Sequence, residues 1–191
     1  MRTFIALRLP AGVIGMLAEI QCRLKGHGVV IRWVRPQNIH LTLKFLGDIS
    51  QSQVETVVDK MHKTGASCLP FTLVTAGLGV FPGIKRPRVL WAGLSGDTGK
   101  LGVLYQILAE QLATAGFLSE KRPFRGHLTL GRIKDRIDSK VLAKAMADVG
   151  GLKSEVFKID EIVLFKSDLR PKGAVYTEIE CVSLTGTATT V

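Results

Sequence analysis

Histidine is scarce in this chain, with four in 191 residues. Cysteine is scarcer: Cys22, Cys68 and Cys181 stand far apart, odd in number and without a CxxC, which excludes a disulfide framework or a zinc knuckle and fits a reducing cytoplasm. No apolar run approaches the roughly 20 residues that a spanning helix needs, so no membrane partner is expected. The opening MRTFIALRLP has too short an apolar stretch for a secretory leader, carries Arg8 and breaks at Pro10, and reads instead as a strand. Acidic side chains are outnumbered, 16 Asp and Glu against 26 Lys and Arg, for a net charge of +10. The densest basic stretch, KRPFRGHLTLGRIKDR, sets six Lys or Arg against one Asp. Such a field attracts polyanions, though charge alone is served equally well by a solvated basic surface.

What the chain does contain is the tetrapeptide HLTL twice, at 40–43 and 127–130. Two of four histidines heading the same tetrapeptide by accident has odds on the order of a few in a thousand. Other segments repeat at about the same offset. RTFIALRL (2–9) and RVLWAGL (88–94) read as strands. AGVIGMLAEIQCRLKG, with Val13, Leu17, Ile20 and Leu24 at helical spacing, corresponds to DTGKLGVLYQILAEQLATAG, which begins on an Asp cap and ends at Gly116. After each HLTL comes a further helix, SQSQVETVVDKMHKTG with a Ser cap and a Gly65 stop, and DSKVLAKAMADVGG with an Asp cap and a Gly150 stop. Long strands follow, FTLVTAGLGVF (71–81) and VFKIDEIVLFK (156–166), and AVYTEIECVSL (174–184) closes the chain.

The order strand, helix, strand, helix, strand, met twice, predicts an α+β fold. Two mainly antiparallel sheets should face each other across a groove, helices outside, with pseudo-two-fold symmetry. The chain 1–191 reads as a single two-lobed domain, with sequence halves at about 1–81 and 88–191 and FPGIKRPR (81–88) as the crossing. The closing strand can complete a sheet begun by the other half.

Strand side chains alternate, so His40 and Thr42 share one face while Leu41 and Leu43 point to the core, and His127 and Thr129 repeat the arrangement with Leu128 and Leu130 behind them. If the lobes are related by a two-fold axis, two imidazoles and two hydroxyls surround one small anion. An imidazole pKa of about 6.5 lets one histidine act as base and the other as acid near neutral pH. Hydroxyls at i+2 can donate to phosphate oxygens as charge accumulates there. A cyclic phosphodiester is already activated, so this set requires no metal. A zinc site on His40 and His127 would need further ligands, and no HxH, HxxxH or Cys cluster supplies them. His27 and His62 receive no role, and Lys44 falls on the histidine face by alternation.

These paired motifs resemble the two-histidine phosphoesterases, and within them the bacterial and archaeal RNA 2′,3′-cyclic phosphodiesterases once named 2′-5′ RNA ligases. IRWVRPQNIHLTLKFLGD, GVFPGIKRPRVLWAGL, FRGHLTLGR and KSDLRPKGAVYTEI are similar to that family's segments in order and spacing, over nearly the whole chain. Gly126 departs from the proline expected before the second histidine. The resemblance implies a cytoplasmic, monomeric hydrolase that opens a terminal RNA 2′,3′-cyclic phosphate to a 2′-phosphate without a cofactor or metal. It implies His127 as proton acceptor, His40 as proton donor, and Thr42 and Thr129 as phosphate-binding residues. Arg132 and Phe45, each five residues after its histidine, are expected to flank the terminal base, although strict alternation would put Phe45 on the leucine face. The substrates implied are RNA ends with a 2′,3′-cyclic phosphate, tRNA fragments and cyclic nucleotides among them. Cleavage or ligation of a 2′-5′ linkage and a non-catalytic RNA-end-binding module are the alternatives.

Overall fold

Each motif strand is built on buried leucines, and the rest of the fold is arranged around these two strands. The structure, a computed structural model, describes residues 1–118, 122–171 and 173–186. Lys121 of the basic stretch and Lys172 of KSDLRPKGAVYTEI lie outside the described residues. The elements are β1 (Arg2–Leu7), α1 (Ala11–Gly26), β2 (Arg32–Trp33), a 3-10 turn at Pro36–Asn38, β3 (Leu41–Asp48), α2 (Gln51–Ser67), β4 (Phe71–Phe81), β5 (Val89–Gly96), α3 (Thr98–Ala113), β6 (Leu128–Arg132), α4 (Ser139–Val149), β7 (Phe157–Ile159), β8 (Glu161–Arg170) and β9 (Gly173–Ser183).

The strands follow the order β7-β4-β5-β6-β3-β1-β8-β9, with β2 attached to β6. All described pairings are antiparallel. The two expected sheets are thus joined into one, and the seam between β3 and β6 is the single pair Leu41 and Leu128. Both halves curl. Tyr176 on β9 lies three strands from β3, yet its ring reaches within 5.3 Å of the His40 ring. Phe81 on β4, two strands from β6, comes within 5.0 Å of His127.

The lobes are not the sequence halves. β4 follows the first motif but pairs with β5 beside the second, and β8 follows the second but pairs with β1 beside the first. Segment 81–88 is therefore a hairpin turn within one lobe, since β4 and β5 are antiparallel neighbours meeting at Phe81 and Val89. The first crossing falls between α2 and β4. VFKIDEIVLFK divides at Asp160 into β7, which pairs with β4, and β8, which pairs with β1, so this run serves both lobes. The division gives β4 and β1 each a hydrogen-bonding neighbour, which periodicity cannot signal.

The helices cover the outer face. Val13, Leu17, Ile20 and Leu24 of α1 are buried as their spacing predicted. Ser50 caps α2 in a reciprocal box with Gln53, and Asp138 caps α4 through the Lys140 N–H. Two expected end signals work otherwise. Helix α2 runs past Gly65 to Ser67, because a Cβ at Gly65 would lie 2.5 Å from the Ser183 carbonyl oxygen: the glycine permits close packing on β9 and does not end the helix. Asp97 stands at the start of α3, but its carboxylate accepts from the Thr72 N–H on β4 and from Lys100. It joins helix to sheet in place of capping.

Candidate active site

His40 and His127 are each the residue just before a motif strand, and each is fixed in the same way. His40 Nδ1 lies 2.8 Å from the Asn38 carbonyl oxygen and His127 Nδ1 lies 2.7 Å from that of Arg125. A carbonyl only accepts, so both Nδ1 atoms carry the proton and both Nε2 atoms are left to exchange one. The seam pair then sets the register. With Leu41 opposite Leu128 and antiparallel strands, His40 stands across from Thr129 and Thr42 across from His127. All four sit on the face opposite the buried leucines. Each histidine thus stands beside the other lobe's threonine, and the threonine hydroxyls have no protein partner among the described residues.

A β-bulge follows each threonine. In β3, Thr42 pairs with Ala6 and Lys44 with Ile5, leaving Leu43 extra; in β6, Thr129 pairs with Trp91 and Gly131 with Leu90, leaving Leu130 extra. A bulge resets alternation. Phe45 is thereby turned onto the histidine face, 57% exposed, opposite Phe4. Arg132 is turned the same way, exposed, opposite Val89. Lys44, which alternation assigned to the histidine face, is buried instead, and its ammonium donates to the Leu118 carbonyl at 2.7 Å. Buried Gln21 on α1 supports the second bulge from behind, donating to the carbonyls of Leu130 at 2.9 Å and Val34 at 2.8 Å.

Four aromatic residues that sequence reasoning missed surround the histidines. Phe4 stacks on His40 at 4.7 Å and Tyr176 meets it edge-on. Phe81 and Trp91 meet His127 edge-on at 5.0 and 6.4 Å. Gly79 makes room for the Trp91 ring, which a Cβ there would strike. The only signal in the sequence was the glycine. Burial pushes the His40 pKa down, partly opposed by the hydrogen bond to Asn38. Burial pushes the Tyr176 hydroxyl up, opposed by the charges of Arg132 and Arg2. A cavity of about 560 Å³ opens beside His40, lined by Arg35, Gln37, Phe165 and Tyr176 among others.

Gly126 packs closely: a Cβ there would meet the Leu101 side-chain end at 2.9 Å. His27 lies 3.7 Å from Asp148, and His62 is exposed on α2. Among the described residues no three His, Cys, Asp or Glu converge as a metal-ligand set. No described helix is long and apolar enough to cross a membrane.

The sequence profile of the LigT-like phosphoesterases matches residues 7–91 and 94–176, one segment around each histidine motif. An Aquifex aeolicus protein named RNA 2′,3′-cyclic phosphodiesterase is 36% identical over 163 residues, covering 85% of this chain and 84% of that one. A Thermotoga maritima protein of the same name is 32% identical over 182 residues, 95% of each. Among solved structures, TT0787 of Thermus thermophilus superposes with a TM-score of 0.79 at 28% identity, covering 97% of this chain and 99% of that one. Escherichia coli LigT complexed with 3′-AMP shares the fold, with a TM-score of 0.75 at 24% identity, covering 96% of this chain and 98% of that one.

Proposed function

Because the chain belongs to the LigT-like phosphoesterase family, we propose that it hydrolyses the terminal 2′,3′-cyclic phosphate of RNA to a 2′-phosphomonoester, using its two histidines and no metal. The names and identities of its relatives support the substrate. The observation that carries the mechanism is the duplicated clamp: both Nδ1–H groups donate to carbonyls, and each histidine stands across from the other lobe's threonine.

Water attacks phosphorus while His127 Nε2 takes its proton. The P–O3′ bond breaks, and His40 Nε2–H protonates the departing 3′-oxygen. Two near-equivalent histidines carry no label of acid or base, so this assignment rests on the resemblance to the family. Thr42 and Thr129 donate to the non-bridging oxygens, where charge builds as phosphorus becomes five-coordinate. Burial favours neutral His40 in the free protein; a phosphate anion beside it raises its pKa, so the substrate itself converts it to the acid. Arg132 and Phe45, both turned toward the groove by bulges, hold the terminal nucleotide by guanidinium and aromatic stacking. Three free cysteines support a cytoplasmic setting, and we take the working unit to be the monomer.

Turnover of a short RNA ending in a 2′,3′-cyclic phosphate, with EDTA present, tests the reading. A 2′-phosphate product is expected, with His40→Ala and His127→Ala each slowed by about 10²–10⁴. Activity restored only by added metal would overturn the metal-free mechanism. Binding without turnover would leave the RNA-end-binding module. A 2′-5′ linked product would favour ligation, a reversal that needs water excluded from the groove.

A further inference from the structure

We infer that Arg32 is a second phosphate-binding residue, which holds the internucleotide phosphate 5′ to the terminal nucleotide, so that the site is built for an oligonucleotide end in preference to a cyclic mononucleotide. This rests on the hydrolase reading above and extends it beyond the reacting phosphate. Strand β2 consists of Arg32 and Trp33 alone, attached to β6 with Arg32 opposite Arg132 and Trp33 opposite Gly131. Trp33 packs against the core, and Lys25 of α1 lies over its ring at 5.4 Å, so it points to the helix side. Alternation therefore turns Arg32 to the other face, which is the face of Arg132 and the two threonines.

Two arginines directly opposite on neighbouring strands repel, and such pairs destabilise a sheet. Neither forms an ion pair with a carboxylate among the described residues, whereas Arg8 in the same molecule is held by both Glu161 and Glu178. The fold thus leaves a paired positive charge uncompensated on the wall of the groove. Guanidinium groups bind phosphate oxygens two at a time, and a phosphate between two of them relieves the repulsion.

The location agrees with the polarity of the substrate. Beyond the seam pair, β6 runs to Arg132 alongside the segment that precedes His40, and Asn38 of that segment donates to the Ala174 carbonyl on β9, two residues from Tyr176, whose ring stands at His40. His40 serves the departing 3′-oxygen, which remains on the ribose, so the nucleoside and the chain 5′ to it leave the reacting phosphate on that side. Arg32 stands beside Arg132 on the edge of β6 that also carries β3, opposite the β5 edge, so that Arg132 meets the terminal nucleotide and Arg32 the phosphate next to it.

Steady-state kinetics of Arg32→Ala on two substrates, adenosine 2′,3′-cyclic phosphate and a triadenylate ending in the same cyclic phosphate, tests the inference. KM for the trinucleotide is expected to rise about tenfold with kcat unchanged, and its salt dependence to weaken by roughly the 0.7 log units per decade of one phosphate contact on a single strand. The mononucleotide should be handled as by the wild type, and Arg32→Lys should recover part of the trinucleotide KM. Equal effects on both substrates, or none on the trinucleotide, would overturn the role of Arg32 alone. Failure of the wild type to turn over either substrate would overturn the hydrolase reading and this one with it.

Discussion

Leu41 lies opposite Leu128, both side chains fully buried, and this pair joins the two halves of the sheet. It also fixes which groups meet on the other face: Thr42 across from His127 and Thr129 across from His40. The two threonines are therefore expected to matter alike, although they belong to different motifs. Thr42→Val and Thr129→Val should each lower kcat by about 10²-fold, the scale for loss of one preorganised donor to a developing oxyanion, with the fold intact. Steady-state kinetics beside a thermal melt separates these effects. A large loss in one variant only would argue that the phosphate is held by a single lobe.

Gln21 is remote from the groove face yet expected to affect it. Its amide donates to the carbonyls of Leu130 and Val34, and Leu130 is the bulge residue that turns Arg132 toward the groove. Gln21→Leu fills similar space but leaves two carbonyls without this donor. Stability should fall by about 1–3 kcal/mol in urea unfolding. KM should rise as Arg132 loses its orientation, whereas a purely structural role would leave KM unchanged in the folded fraction.

The shared face of the histidines and threonines was legible because it depends on period-two alternation over three residues and on a repeat of the same tetrapeptide. The rest depended on contacts distant in sequence. The swap of β4 and β8 between lobes follows from which edges pair, and nothing within FTLVTAGLGVF or VFKIDEIVLFK marks it. Strict alternation misplaced Lys44 and left Phe45 undecided because the bulge at Leu43 has no glycine to announce it. The aromatic surroundings of the histidines come from β1, β4, β5 and β9, four strands with no common motif.

Phe45 should prove dispensable for folding and important for binding. It is 57% exposed, and within the protein its ring contacts Phe4 at 5.9 Å. Phe45→Ala should change stability by no more than about 0.5 kcal/mol, as for other surface positions. Loss of stacking on a base is worth about 1–3 kcal/mol, which corresponds to roughly a 5- to 150-fold rise in KM for an RNA end. A destabilised variant with normal KM would place Phe45 in the packing of the lobe.

Gly126, the residue before the second motif histidine, tests how tightly the approach to His127 is constrained. A Cβ at this position meets the ends of Leu101, Leu94 and Leu41 side chains at 2.9, 3.4 and 3.6 Å, and no backbone atom lies among these nearest contacts. Flexible side-chain ends can give way, so Gly126→Ala should fold, at a cost of about 1 kcal/mol or less set against the entropy it removes from the unfolded chain. The Nδ1–H bond of His127 to Arg125 lies one residue to each side, so kcat should stay within about threefold of wild type, the effect of less than 1 kcal/mol on a barrier. A loss as large as that of His127→Ala would show that the glycine itself is needed to seat the histidine.

The pH behaviour of His40 distinguishes a site that is acidic in advance from one made acidic by its substrate. Burial lowers its pKa below the unperturbed value of about 6.5, so the folded state prefers the neutral ring. The contribution to stability is then fully present above pH 6.5 and is lost as pH falls through the lower folded-state pKa, because the unfolded chain binds the proton more readily. Unfolding midpoints should therefore drop more steeply below pH 6.5 in wild type than in His40→Gln. In proton NMR titrations the His40 ring should titrate below 6.5 in the free protein and move upward when inorganic phosphate is added, since an adjacent anion favours the imidazolium. Thr42→Val with Thr129→Val should abolish that upward movement by removing the groups that hold the anion. If phosphate instead leaves the His40 titration unchanged while binding is measurable, the anion does not sit at Nε2, and the proton given to the 3′-oxygen must come from elsewhere.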